Sequence, residues 1–290
     1  MNRCIQLSIA RLTMKYKIVS DSTADLLTLS QVDFTSVPLK ITVDDVTYVD
    51  DESLDLDGMV NHLNEFKGRS CTACPSPAEW HAAFGDADRV FAITITSTLS
   101  GSYNAAQVAA REYEEDHPDR KVFVIDSLST GPEMALVIYK LEEMITAGMD
   151  YEDICREITD YLAHTRLMFV LHSIRNLANN GRVSPAVAAL VGLLGIRIVG
   201  RASDHGDLQP MAKCRGDKRA LSQLISDMAS LGYKGGKVLI HHCGNLPGAQ
   251  AVKDGLAKLY PQAQILIDRA RGLCSFYAED HGLLIGFEVA

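Results

Sequence analysis

The densest run of chemically able side chains is Thr96-Ser97-Thr98-Leu99-Ser100-Gly101-Ser102, which follows an apolar stretch at 89–95 that reads as a strand. A helical period begins behind it at about Tyr103. A strand that ends in hydroxyls and glycine and then opens a helix presents backbone N–H groups and hydroxyl donors at the positive end of the helix dipole, an arrangement that suits an anion. A plain serine N-cap gives the same local pattern. Gly101 would let a ligand come close to the backbone. The run fits neither GxGxxG nor GxxxxGK[ST], so a nucleotide-binding loop is not supported, and it is not the GxSxG of a nucleophile elbow.

Asp21-Ser22-Thr23 ends an earlier strand at 16–19, the end of the strand at which open α/β sheets place their ligands. Asp21 there could hold a metal, act as a base, or cap the following turn, and the cap is the commoner role. A third polar turn, 72–77, leads into a helix with Pro77 at its first position and Trp80, the chain's only tryptophan, within it. In the second half, Arg182 stands in Asn180-Gly181-Arg182 and Arg215 in Lys213-Cys214-Arg215-Gly216. An arginine turned inward at either place would need an anionic partner, because a buried unpaired charge is costly. Cys71-x-x-Cys74 lacks the second pair that a zinc site needs. His241 and His242 are neighbours in a strand and so point to opposite faces, which keeps them from sharing one metal. His281, behind Glu279-Asp280, reads by itself as a surface or turn residue. These residues call for no metal and no cofactor.

The elements that must position them alternate strand and helix. Strands are expected at 16–19, 89–95 and 121–125, an extended or hairpin segment at 39–49, and helices at 55–66, from 103, at 131–147 and at 151–164. Strand character resumes at 167–171, and 196–201 and 207–213 read as an antiparallel pair across a short turn with glycine. Further strands fall at 237–242, 264–268 and 283–289, with helices at 218–231 and 247–259. The apolar run 186–199 is too short to span a bilayer, carries Arg197, and fits a buried helix running into a strand. The expected fold class is α/β with two α/β domains: an N-terminal three-layer domain on a mainly parallel sheet, 14–165, and a C-terminal domain with a mixed sheet, 166–290. Residues 1–13, ahead of Met14, read as an N-terminal extension.

Composition narrows the function classes. Lys and Arg total 28 against 37 Asp and Glu, a net charge of −9, which argues against a general binder of nucleic acid or anionic membrane. With 47% apolar residues the chain can offset the entropy of ordering and is not a disordered one. Seven cysteines form an odd set with no paired framework, which suits reduced thiols and a cytoplasmic location.

Taken in order, the segments resemble the DegV family of bacterial proteins that bind a long-chain fatty acid. The likeness runs from about Met14 to the C-terminus and rests on five motifs: Asp-Ser-Thr-Ala-Asp-Leu at 21–26, Thr72-x-x-Pro-Ser-Pro, Ser97-x-Leu-Ser-Gly-Ser-Tyr, Asn-Gly-Arg-Val-Ser at 180–184, and Lys-x-Arg-Gly at 213–216. The resemblance implies a fold similar to one domain of dihydroxyacetone kinases and a ligand held where the two domains meet. It also implies no catalytic residue in this chain: the protein would be a carrier that presents a carboxyl group to a separate kinase for acyl-phosphate formation. By the same resemblance Thr72 and Ser97 match the hydroxyls that hold the carboxylate, and Arg182 and Arg215 match basic residues at or near it. The sequence departs from the family in two places. The usual Thr-Ser pair of the turn is Thr72-Ala73, and the family's His-x-Gly-Pro-Gly is missing near the C-terminus, leaving His281 or Tyr277 to substitute for its histidine. The helical segments 134–145 and 187–194 are candidates for the walls of a tail tunnel. Two readings of other classes compete: an enzyme on a phosphorylated or hydroxylated small metabolite, with Asp21 and the Ser97 loop as its polar site, and an interaction protein whose groove is a vestige.

Overall fold

The computed structural model describes residues 14–189 and 195–290. Extension 1–13 and part of the 187–194 segment lie outside the described residues. The N-terminal domain is built on a four-stranded parallel sheet of β1 (Tyr16–Asp21), β2 (Asp33–Val37), β6 (Arg89–Thr94) and β7 (Lys121–Asp126), in the order β2-β1-β6-β7. Alternation along these strands sends successive residues to opposite faces. Ile18, Phe91 and Ile93 thus meet α4 (Gly131–Thr146) and α5 (Tyr151–Ala163), while Val19, Val90 and Ala92 meet α2 (Pro77–Phe84) and α3 (Ser102–Asp116). This is the expected three-layer arrangement. Helix α2 starts on a capping box between Ser76 and Glu79, with Pro77 at its first position.

The hairpin expected at 39–49 forms as β3 (Lys40–Val43) and β4 (Val46–Val49). Two short strands were not expected. One is β2, and the other is β5 (Cys71–Ala73), which adds antiparallel to β3 and makes Thr72 a strand residue instead of a turn residue. Helix α1 (Leu56–Glu65) packs Met59 and Leu63 beneath this small sheet.

The second sheet has six strands in the order β10-β9-β8-β13-β11-β12. They are β8 (Thr165–Leu171), β9 (Ile196–Ala202), β10 (Leu208–Arg215), β11 (Lys237–His242), β12 (Gln264–Arg269) and β13 (Leu283–Glu288). The pair β11–β12 is parallel and the others are antiparallel, so the sheet is mixed as expected. One of its faces is covered by α8 (Asp217–Ser230) and α9 (Leu246–Leu259), which enclose Met168, Val170, Val238 and Ile285. The opposite face turns toward the N-terminal domain.

Three further helices stand on that side. They are α6 (Arg175–Asn179), α7 (Pro185–Ala188) and α10 (Gly272–Ala278). The buried helix expected in 186–199 is corrected in its described part: α7 is four residues long and none of them is buried. The unexpected α10 sends Leu273 and Phe276 into the core of the N-terminal domain. Its first turn is capped from a distance, Asp50 accepting from the N–H groups of Gly272 (3.0 Å) and Leu273 (2.9 Å). Beside it, Asp25 accepts from Arg271 N and from His241 Nδ1, each at 2.8 Å, which ties β11 to the loop after β1. No helix of the described residues is long and apolar enough to cross a membrane.

Candidate functional site

Where the domains meet they enclose a cavity of about 330 Å³, in the range of small-molecule sites. Period-two alternation on β8 builds its floor, since Leu167, Phe169 and Leu171 face the cavity while Met168 and Val170 face the helices behind. Leu284 of β13 continues the floor on one side, and Ala202 and Leu208 of the β9–β10 hairpin on the other. The N-terminal domain contributes Leu39, Ile95 and Leu99, and α10 contributes Leu273, Cys274, Tyr277 and Ala278. The hairpin tip reaches across the domains: Thr98 Oγ1 donates to Gly206 O at 3.0 Å, and Gly206 (φ +84°) lies so near Thr96 that a Cβ would stand 2.0 Å from its hydroxyl. Only glycine fits there.

The tail walls expected in 134–145 are therefore corrected. Met134, Val137, Ile138 and Leu141 of α4 lie in the N-terminal core, and that helix does not line the cavity. The expected 187–194 wall has its residues 190–194 outside the described ones, and among the rest none lines the cavity.

The polar groups of the lining come from a few loops. Thr72 Oγ1 and Tyr277 OH are hydrogen-bonded at 2.8 Å, joining β5 to α10. Burial pushes the Tyr277 hydroxyl's pKa up, opposed by the Thr72 bond and the Arg182 charge. Ser100 and Gly101 enter the cavity at the head of α3, whose N-cap, Gly101, has no side chain; of the first-turn N–H groups, that of Ser102 donates to Ser100 Oγ at 3.2 Å. Arg182 is held by the loop after α6, donating to Asn180 O at 2.8 Å, and no carboxylate of the described residues pairs with it. Asn180 Nδ2 bonds Ser70 O (3.2 Å) and Asn176 O (2.9 Å), and Asn176 Nδ2 bonds Phe276 O (2.8 Å). The two asparagines thereby set Arg182, the approach to β5 and α10 in one frame. Hydroxyls, helix N–H groups and one guanidinium, in a mainly apolar cavity whose lining also includes Thr96, Ser129, Thr130 and Asp207, can hold a single anionic group.

Of the five candidate residues, Thr72 and Arg182 line the cavity, while Ser97, Arg215 and His281 do not. Ser97 is exposed, with its N–H on Asp126 Oδ1 at 3.1 Å. Arg215 is exposed at the end of β10. His281 is exposed in a turn (φ +63°), its ring 5.4 Å from that of His172. His172 Nε2 lies 3.1 Å from Asp217 Oδ1, and burial and the Arg197 charge lower its pKa to about 4. Tyr277, the alternative to His281, is the one in the cavity. Ser100, three residues on, lines the cavity, and nothing in the residue types separates the two serines. The framing asparagines and the Asp50 cap were also missed, since each acts through contacts distant in sequence.

Asp21 has neither of the open roles weighed for it. Wholly buried and outside the lining, it accepts from Thr23 N (3.3 Å), Thr23 Oγ1 (2.5 Å), Ile95 N (2.9 Å) and Ser102 Oγ (2.6 Å). Burial pushes its pKa up and these bonds pull it down. The described residues hold no cluster of three or more His, Cys, Asp or Glu suited to a metal, and His241 is buried against Asp25 while His242 lies on the other face.

A parallel-sheet domain and a mixed-sheet domain closed on an apolar cavity with a small polar end define a two-domain α/β binding protein. The chain belongs to the DegV family: the family profile described as "Uncharacterised protein, DegV family" matches residues 15–286. A DegV domain-containing protein of Streptococcus pneumoniae strain R6 is 43% identical over 280 residues, covering 95% of this chain and all of the relative. Among solved structures, the Streptococcus pneumoniae fatty acid kinase (Fak) B3 protein loaded with linoleic acid superposes with a TM-score of 0.94 at 43% identity, covering 96% of this chain and 100% of that one. A DegV family protein of Eubacterium eligens loaded with heptadecanoic acid gives 0.92 at 42% identity, with 95% and 100% covered. A Thermotoga maritima protein described as revealing fatty acid binding gives 0.84 at 26% identity, with 96% and 100% covered.

Proposed function

We propose that this protein binds a long-chain fatty acid, with the tail on the β8 floor and the carboxylate at Thr72, Tyr277, Ser100 and Arg182, and presents it to a separate kinase. The observation that carries the proposal is one cavity that joins an apolar floor to a guanidinium without a carboxylate partner. At ~0.8 kcal/mol per buried CH₂, a tail of fourteen to sixteen carbons supplies on the order of 10 kcal/mol before ordering costs, so the tail provides affinity. The head group then fixes orientation through charge-assisted hydrogen bonds. The carboxylate oxygen is the atom the partner kinase phosphorylates, and this chain holds it in place without a catalytic group of its own. Arg215, outside the cavity, is left for contact with that partner. The free thiols among the described residues suit a reducing compartment, and we assign the protein to the cytoplasm.

The test is direct. Denaturing the purified protein and extracting it with organic solvent should release close to one fatty acid per chain. Well-folded protein that yields none contradicts the proposal.

A further inference from the structure

Phe169 is paired across the sheet with Gly200 of β9 on one side and with Leu284 of β13 on the other. A Cβ built on Gly200 would lie 2.5 Å from Phe169 Cζ and 2.6 Å from Cε2, so the ring lies over the bare glycine Cα instead of standing upright from the floor. An aromatic ring can lie so low on a sheet only where its cross-strand neighbour has no side chain. Phe169 is 4% exposed and lines the cavity. On the same side the hairpin offers Ala202 and Leu208, so the space beyond the ring is walled by small and flexible groups. The Phe169 ring fills the trough that Gly200 leaves in the floor, and removing it would open the cavity sideways over β9.

We infer that the Phe169 ring, seated on Gly200, is the gauge of the cavity and sets which acyl chains it accepts by length and bend. This rests on the fatty-acid reading above. Polar groups fix only the head, and a tail in an apolar cavity is discriminated by the space left for its last carbons, where one or two methylenes decide the preference.

The experiment offers purified protein an equimolar mixture of saturated fourteen-, sixteen- and eighteen-carbon fatty acids and their cis-monounsaturated counterparts, then identifies what is retained by mass spectrometry. Phe169→Ala should raise the ratio of eighteen- to sixteen-carbon chains about tenfold over the unsubstituted protein, the factor that two further buried methylenes carry. Phe169→Leu should shift it the same way by less, and covers the case in which the alanine variant does not fold. Phe169→Trp should shift it toward the shorter chains. Folded, loaded variants that retain the same mixture as the unsubstituted protein overturn the gauge and leave the fatty-acid reading standing. If the unsubstituted protein retains no fatty acid, both fall.

Discussion

Two polar regions of the molecule use much the same residue types and do opposite things. The loop after β1 carries Asp21, Ser22 and Thr23, and the loops at β5 and at the head of α3 carry Thr72 and Ser100. Asp21 is surrounded by four donors from three segments, and Ser22 Oγ accepts from Leu39 N at 3.1 Å, so the first loop spends its polarity inside the fold. At the second, the Thr72 hydroxyl meets only Tyr277, the Ser100 hydroxyl accepts only from Ser102 N, and the Arg182 guanidinium has only a backbone carbonyl. Residue type at a strand end therefore does not mark a site. A site is marked by polar groups that the fold leaves under-used beside a cavity, and Asp21, buried and bonded outside the lining, is not such a group.

The difference between the two regions is greatest at Asp21. Asp21→Ala leaves the Ile95 N–H and the Ser102 hydroxyl buried without their acceptor and the Thr23 hydroxyl with only Met134 Sδ, and should lower stability by about 3 kcal/mol or more in denaturant titration. The folded fraction should bind fatty acid as before. A variant of normal stability that has lost binding would reverse the roles of the two loops. Next comes Arg182→Met, which keeps the stem and removes the charge. It should weaken binding of a fluorescent fatty acid by about 2 kcal/mol, some thirtyfold, with little change in melting temperature.

A smaller effect tests how completely buried acids are satisfied. Glu133 lies buried in the first turn of α4, accepts from Thr165 Oγ1 at 2.8 Å, and burial pushes its pKa from the ordinary 4.5 up to about 7. Asp50 is pushed to about 6 by burial, despite its bond to Leu273 N. A carboxyl whose pKa is higher in the folded than in the unfolded chain favours folding in its protonated form. That contribution is complete below the unfolded value and is lost as pH rises through 6 to 7. Glu133→Gln should therefore match the unsubstituted protein near pH 4 and exceed it by roughly 1–2 kcal/mol at pH 8, read from denaturation at the two pH values. A gain at both or at neither would show that burial does not govern this group. Smallest are the single hydroxyls: Tyr277→Phe and Ser100→Ala should each cost about 1 kcal/mol of affinity, and Ser97→Ala nothing measurable.

Much of the fold is legible in the sequence because its strands alternate or run apolar and its long helices keep their period. The strands β1, β6, β7 and β8 are of this kind. What is not legible forms through distant contacts. Strand β5 is three residues that become a strand only by pairing with β3, and α10 is seven residues whose cap, Asp50, lies more than two hundred positions earlier. The same cause explains the site. Thr72 and Arg182 sit in motifs that can be read along the chain. Ser100 lines the cavity while Ser97, whose N–H is bonded to Asp126 Oδ1, does not, and Tyr277 lines it while His281 does not because Tyr277 stands on a helix that the sequence did not announce.

The central claim is the location of the carboxylate. A crystal structure of the protein with its bound fatty acid should show the carboxylate within hydrogen-bond distance of Thr72 Oγ1 and Arg182, with the tail crossing the β8 floor. A carboxylate held instead by Ser97, Arg215 or His281, with the β8 floor bare, would contradict the account.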